Sequence, residues 1–250
     1  MAAAFQHQDT HSPRKPARGF RFKQFEIQDH RCAHKVGTDG TLLGAWVDVK
    51  NARRLLDIGT GSGLIALMLA QRTSPDALIE AIEISLPDYA QASENVKHSP
   101  WHKKLRVQHS SLQHFESTLL FDCIVSNPPY FNNSFKPPNA NRIVPRHTET
   151  LSFLDLIQHS LRLLTDEGTL NVILPFTEGL QFIDMASQHS LMLSRKWAFR
   201  TRAEKPIERW LLEFRKTVYP LEEGEIRLYA TGDEWSDDYK ALTKDFYLKL

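Results

Sequence analysis

Residues 55–63 read Leu-Leu-Asp-Ile-Gly-Thr-Gly-Ser-Gly, an apolar run interrupted by Asp57 that ends in three glycines at alternate positions. The run Arg54–Ile58 has the length and composition of a buried strand, and Leu64–Arg72, closed by Pro75, has those of the helix after it. A strand entering a glycine turn and then a helix opens a parallel α/β sheet. Glycine serves such a turn because it tolerates positive φ and lets a ligand approach the backbone.

The same rhythm continues outward. Strands are expected at Leu78–Ile84, Leu105–His109, Phe121–Ser126 and Thr169–Leu174, and helices at Asp88–Lys97 and Phe153–Leu164. Strands alternating with helices at this spacing predict a Rossmann-like, mostly parallel sheet covered on both faces. Near the C-terminus, Lys196–Arg202 and Arg209–Lys216 are β-type runs separated by Ala-Glu-Lys-Pro-Ile-Glu, which predicts an antiparallel hairpin at one sheet edge, seven strands in all. A last helix is expected at Tyr239–Leu248. Residues 1–18, polar and basic around Pro13 and Pro16, read as a flexible arm, with one domain over 19–250.

Composition excludes several classes. With 41% hydrophobic and 24% charged residues, the chain can bury a full core. No run approaches the roughly 18 apolar residues of a membrane-spanning helix, and the N-terminal residues lack the apolar core of a secretory signal, so a cytoplasmic monomer is expected. A net charge of +1 means that any polyanionic partner is met by one face. Cys32 and Cys123 are too few for a disulfide framework. His30, Cys32 and His34 lack the four-ligand spacing of a structural zinc site, so no metal is expected.

Two constellations carry chemistry. The spacing Gly59-x-Gly61-x-Gly63 is neither the dinucleotide fingerprint nor a phosphate loop. Glu83, ending the second strand, suits a ribose diol. Acids after strands one and two fit a positively charged nucleoside such as S-adenosylmethionine. Asn127-Pro128-Pro129-Tyr130 follows the strand Phe121–Ser126. The Asn127 side-chain carbonyl and the Pro128 backbone carbonyl can accept both hydrogens of a conjugated amine and stabilise the charge that develops as it attacks a methyl group. Tyr130 offers a surface for an unstacked base.

On these residues the chain resembles the class I S-adenosylmethionine-dependent methyltransferases of the Asn-Pro-Pro-Tyr branch. Through residues 22–46, 55–72, 94–101, 125–131 and 241–248 it is similar to the bacterial valine-tRNA (adenine-37 N6) methyltransferase family. The resemblance implies N6-methylation of an adenine in tRNA. It places Asp57, Gly59, Gly61 and Gly63 at the cofactor's methionine part, Glu83 at its ribose, and Lys35, Gly37, Thr38 and Asp39 against it. Asn127, Pro128 and Tyr130 would meet the target base. Where relatives carry an aspartate after the third strand, this chain has Ser110 and Ser111, with Ser111 placed at the cofactor adenine. Lys136, Arg142 and Arg146 of the long loop, with Arg195, Arg200, Arg202 and Lys205 around the hairpin, are candidate tRNA contacts. Alternatives are a protein-glutamine N5-methyltransferase, whose extra N-terminal helical domain eighteen polar residues cannot supply, a DNA adenine methyltransferase, which needs an added recognition domain, and a noncatalytic nucleotide- or RNA-binding module.

Overall fold

The computed structural model describes residues 19–129 and 151–249. The expected arm and the candidate residues Tyr130, Lys136, Arg142 and Arg146 lie outside them. In chain order the elements are β1 (Phe20–Arg21), β2 (Glu26–Ile27), α1 (Thr38–Trp46), β3 (Arg54–Ile58), α2 (Leu64–Arg72), β4 (Leu78–Glu83), α3 (Leu86–Lys97), β5 (Leu105–His109), β6 (Phe121–Ser126), α4 (Phe153–Leu163), β7 (Leu164–Pro175), α5 (Phe176–Gln188), β8 (Met192–Arg200), β9 (Arg209–Arg215), β10 (Glu222–Arg227) and α6 (Asp237–Thr243).

Eight strands form one sheet in the order β10-β8-β9-β7-β6-β3-β4-β5, in which β9 alone runs antiparallel to its neighbours. The mostly parallel sheet and the hairpin are as expected. The strand count is not, because β10 pairs in parallel beyond β8 and takes the edge. Its sequence Glu-Glu-Gly-Glu-Ile-Arg buries only Ile226, so it lacks the alternation that marks a strand. A row of charges also protects an open edge from pairing with another chain. Gly224 lets β10 close on β8, since a Cβ there would lie 2.4 Å from the Trp197 ring.

Side chains alternate across the sheet into two cores. Leu55, Val125, Ile173 and Leu211 pack with α1, α2 and α6 on one face. Leu56, Ile124, Val172 and Leu212 pack with α4 and α5 on the other. Helix α4 is fixed at its start by a capping box: Ser152 Oγ accepts from the Asp155 N–H while the Asp155 carboxylate accepts from the Ser152 N–H.

The register brings the functional rim together. Ile58 lies opposite Ser126 and Ile82, Glu83 opposite His109, and Ser126 opposite Val172. The segments after β3, β4, β5, β6 and β7 therefore all leave at the carboxyl ends of the strands, on one rim of the sheet. Strand β8 runs in the same direction as β7, so residues 201–208 emerge there too.

Candidate active site

The turn after β3 is built by buried hydrogen bonds. Asp57 is 0% exposed, and its Oδ2 accepts from Thr60 Oγ1 at 2.6 Å and from the Ala66 N–H in the first turn of α2 at 3.1 Å. Gly59 and Thr60 donate their N–H groups to the Ile82 carbonyl oxygen of β4. Gly59 and Gly61 hold φ of +70° and +57°, and nothing lies within 4 Å of where a Cβ would stand at either. The turn thus presents open backbone, as a closely approaching ligand requires. Asp57 does not line it as expected: its sealed carboxylate shapes the turn from beneath.

That burial has a thermodynamic signature. Asp57 Oδ1 is buried without a hydrogen bond. Desolvation, reinforced by the nearby Glu83 charge and opposed by the Thr60 and Ala66 hydrogen bonds, pushes the carboxyl from 3.8 up to about 7. Between those values the folded chain holds a proton that the unfolded chain releases. Stability from this group is therefore fully present below 3.8 and is lost as pH rises through about 7. Denaturant titrations from pH 4 to 8 are expected to show the wild type losing several kcal/mol relative to Asp57→Asn, on the scale of about 1.4 kcal/mol for each tenfold change in proton affinity. Parallel profiles would refute this assignment.

Glu83 stands beside the turn at 7% exposure. Its Oε2 accepts from the Gly61 N–H at 2.9 Å and its Oε1 from the Ser85 N–H at 2.8 Å. Next to it, Ile84, His109, Ser110, Ser111 and His114 line a cavity of about 320 Å³. The segment before β3 closes on the same turn. Gly37 is the N-cap of α1 and Thr38 its first residue, and a Cβ on Gly40 would lie 3.1 Å from Leu64 Cδ2 at the start of α2. Lys35 Nζ binds the carbonyl oxygens of Asp29 and Cys32, at 2.6 and 3.3 Å, and so braces its own loop. Asp39 pairs with Arg209 at 2.8 Å, tying α1 to the start of β9, a link between residues 170 positions apart.

At the end of β6, Ser126 Oγ donates to the Ile58 carbonyl oxygen at 2.9 Å, locking the strand end to the neighbouring strand. Asn127 follows with its Oδ1 buried and without a hydrogen-bond donor. Pro128 is buried and Pro129 exposed. Buried acceptors are normally satisfied, so an orphaned carbonyl oxygen at this rim is an acceptor awaiting a donor.

The basic residues divide. Arg200 Nε pairs with Glu225 at 2.9 Å, Arg202 with Asp233 at 3.2 Å, and Lys205 is exposed in the rim loop. Arg195 is a correction. Its guanidinium pairs with Glu213 and Glu222 at 3.4 and 3.5 Å and covers the Trp46 ring at 4.3 Å. It shares a depression of about 220 Å³ with Arg215, the last residue of β9, and with Tyr219 and Pro220 just beyond, at the end of β9 opposite the rim, so it is a structural cation remote from the rim. Burial and the Asp88 carboxylate push the Cys32 thiol up to about 12, and burial does the same to Cys123. Among the described residues no group of three His, Cys, Asp or Glu side chains is placed to hold a metal.

A family model for the methyltransferase small domain matches residues 32–185. The tRNA1(Val) (adenine(37)-N6)-methyltransferase of Trichodesmium erythraeum is 45% identical over 92% of this chain and 98% of its own length. That of Aeromonas hydrophila is 44% identical over 93% and 98%. Among solved structures, a predicted O-methyltransferase from Agrobacterium tumefaciens superposes with a TM-score of 0.65 at 17% identity, covering 83% of this chain and 96% of that one. The ribosomal protein L11 methylase of Lactobacillus delbrueckii gives 0.51 at 20% identity, covering 71% and 77%. The two structures share the fold alone. The domain model, which spans more than half of the chain, and the relatives above 40% identity across nearly all of it establish that this chain belongs to the methyltransferase small domain family, alongside the tRNA1(Val) (adenine(37)-N6)-methyltransferases.

Proposed function

We propose that this enzyme methylates N6 of adenine 37 in tRNA1(Val), using S-adenosylmethionine. The observation that supports this most directly is the orphaned Asn127 Oδ1 on the rim that also carries the glycine turn. The open Cβ sides of Gly59 and Gly61, the carboxylate of Glu83 and the neighbouring cavity fit the cofactor's methionine, ribose and adenine parts in that order. When bound, the cofactor supplies an electrophilic methyl group on a sulfonium.

The chain's own residues supply placement. The adenine amine is a weak nucleophile because its lone pair is delocalised into the ring. Asn127 Oδ1 and the Pro128 carbonyl oxygen accept its two hydrogens, orient the nitrogen toward the methyl carbon, and stabilise the positive charge that grows on nitrogen as the new N–C bond forms and the C–S bond breaks. Nitrogen then releases one proton to solvent. Tyr130 is proposed as the stacking surface for the target base, and Lys136, Arg142 and Arg146, with Arg200, Arg202 and Lys205, as phosphate contacts.

Phe176 joins this face. It is 42% exposed as the first residue of α5, directly after β7, which pairs with the strand that leads into Asn127, and its ring stacks on Trp210 at a centroid separation of 5.8 Å. An anticodon loop offers splayed bases to such a surface. Phe176→Ala is expected to raise the KM for tRNA about tenfold at unchanged cofactor affinity, within the roughly 1–3 kcal/mol that a base-aromatic stack contributes. An unchanged KM would remove Phe176 from the RNA face.

The test of the function is nucleoside mass spectrometry of tRNA from cells lacking the gene. Loss of N6-methyladenosine at position 37 of valine tRNA is the expected result. If another RNA loses the nucleoside, the target is reassigned. If only a protein glutamine loses its methyl group, the reaction is the N5-glutamine one. No helix among the described residues is long and apolar enough to cross a membrane. The enzyme is further proposed to act on tRNA in the cytoplasm, as a monomer.

A further inference from the structure

The two serines after β5 stand where a carboxylate would be the simplest reader of an amine. A hydroxyl is ambiguous by nature, because it donates as readily as it accepts. For Ser110 the ambiguity is removed. Ser110 Oγ donates to the Ser111 carbonyl oxygen at 2.9 Å, so its hydrogen is spent within the protein. Ser111 Oγ accepts from the His114 backbone N–H at 3.3 Å and lies 3.0 Å from His114 Nδ1.

We propose that His114 is a positioning residue that holds the Ser111 hydroxyl hydrogen on Nδ1, leaving both serine oxygens to meet a ligand only as acceptors. The pair thereby selects a purine carrying an exocyclic amine over one carrying a carbonyl at the same position. The inference rests on the cofactor reading above, in which the nucleoside's ribose lies on Glu83 and its base in the neighbouring cavity.

Three features support it. The cavity is lined by both serines and by His114. Ile84 and His109 also line it, and the His109 ring is held by the Ile84 carbonyl oxygen at 2.9 Å and lies 5.4 Å from the Tyr89 ring, so a fixed aromatic ring borders the serines. Electrostatics favours neutral oxygens as well. The rim already holds Glu83 beside Asp57, whose carboxyl that neighbour helps to raise. A third carboxylate here would add to the repulsion, whereas hydroxyls with committed hydrogens supply the same polarity without charge.

The test compares S-adenosylhomocysteine with S-inosylhomocysteine by calorimetric titration of the full-length enzyme. The two differ in presenting an amine or a carbonyl at the base's six-position. The wild type is expected to prefer the adenosyl compound by at least about tenfold, the scale of one well-placed hydrogen bond. His114→Ala frees the Ser111 hydroxyl to donate and is expected to bring the two affinities within about threefold. His114→Asn, which places an acceptor oxygen near the former Nδ1, is expected to restore the preference. Equal or inverted affinities in the wild type would overturn the proposal while leaving the cofactor site standing, as would a His114→Ala enzyme with undiminished selectivity. If neither compound binds the wild type, the cofactor reading fails and this inference with it.

Discussion

Asn127→Ala is expected to slow single-turnover methyl transfer by about 10²- to 10³-fold, with the dissociation constant for S-adenosylmethionine unchanged. The magnitude is that of removing one preorganised hydrogen-bonding group from a site where charge develops, about 3–4 kcal/mol. The separation of effects follows from position. Asn127 leaves β6 with its Oδ1 buried and unpartnered, whereas the cofactor-facing turn is held by Asp57, Thr60 and Glu83 through bonds in which Asn127 takes no part. Because Oδ1 makes no hydrogen bond within the described structure, truncation breaks no bond at that oxygen. Quenched-flow assays with saturating tRNA measure the rate, and calorimetry measures the affinity. Near-wild-type turnover would sink the proposed mechanism, and a parallel loss of cofactor affinity would mean that Asn127 shapes the cofactor site instead.

Much of this molecule was legible in the sequence, and the reasons are local. Strands β3, β5 and β6 and helix α2 fall on the residues expected: β3, β6 and α2 are short, mostly apolar runs buried along nearly their whole length, and β5, at the sheet edge, is marked by Leu105 and Val107 alternating with polar residues. Helix α1 was hidden: buried all round like α2, it lacks the glycine turn that announces α2 in the sequence. Thr41–Trp46 leave no polar face to mark a helical period. Helix α5 and strand β10 also escaped, the latter because its charges mask its pairing. At the site, residue type and order revealed the glycine turn, Glu83 and Asn127. They did not reveal partnership. That Arg195 is consumed by Glu213 and Glu222, that Asp39 meets Arg209, or that Ser111 meets His114 depends on which side chains the fold turns toward one another. Charge read from sequence counts cations but cannot say which are already paired.

Glu83→Ala is expected to weaken S-adenosylmethionine binding by about a hundredfold or more. Two losses combine. The carboxylate accepts the Gly61 and Ser85 N–H groups at 2.9 and 2.8 Å, and hydrogen bonds to a charged acceptor are each on the order of 1.5–3 kcal/mol. Without them the turn that leaves its Cβ side open loses its brace. The lone pairs not used by these two donors are the ones proposed for the ribose diol, and they vanish as well. Glu83→Gln separates the contributions, since an amide oxygen can accept one of the two N–H groups while its NH₂ opposes the other. Its affinity should fall between wild type and alanine. The substitution also reaches Asp57, whose carboxyl Glu83 helps to raise. With that charge gone the Asp57 value comes down, and the pH window over which the protein loses stability should contract from its upper end. Calorimetric affinity and stability profiles from pH 4 to 8 on one set of variants read both effects. A contracted stability window with unchanged cofactor affinity would leave Glu83 as a brace for the turn and move the ribose elsewhere.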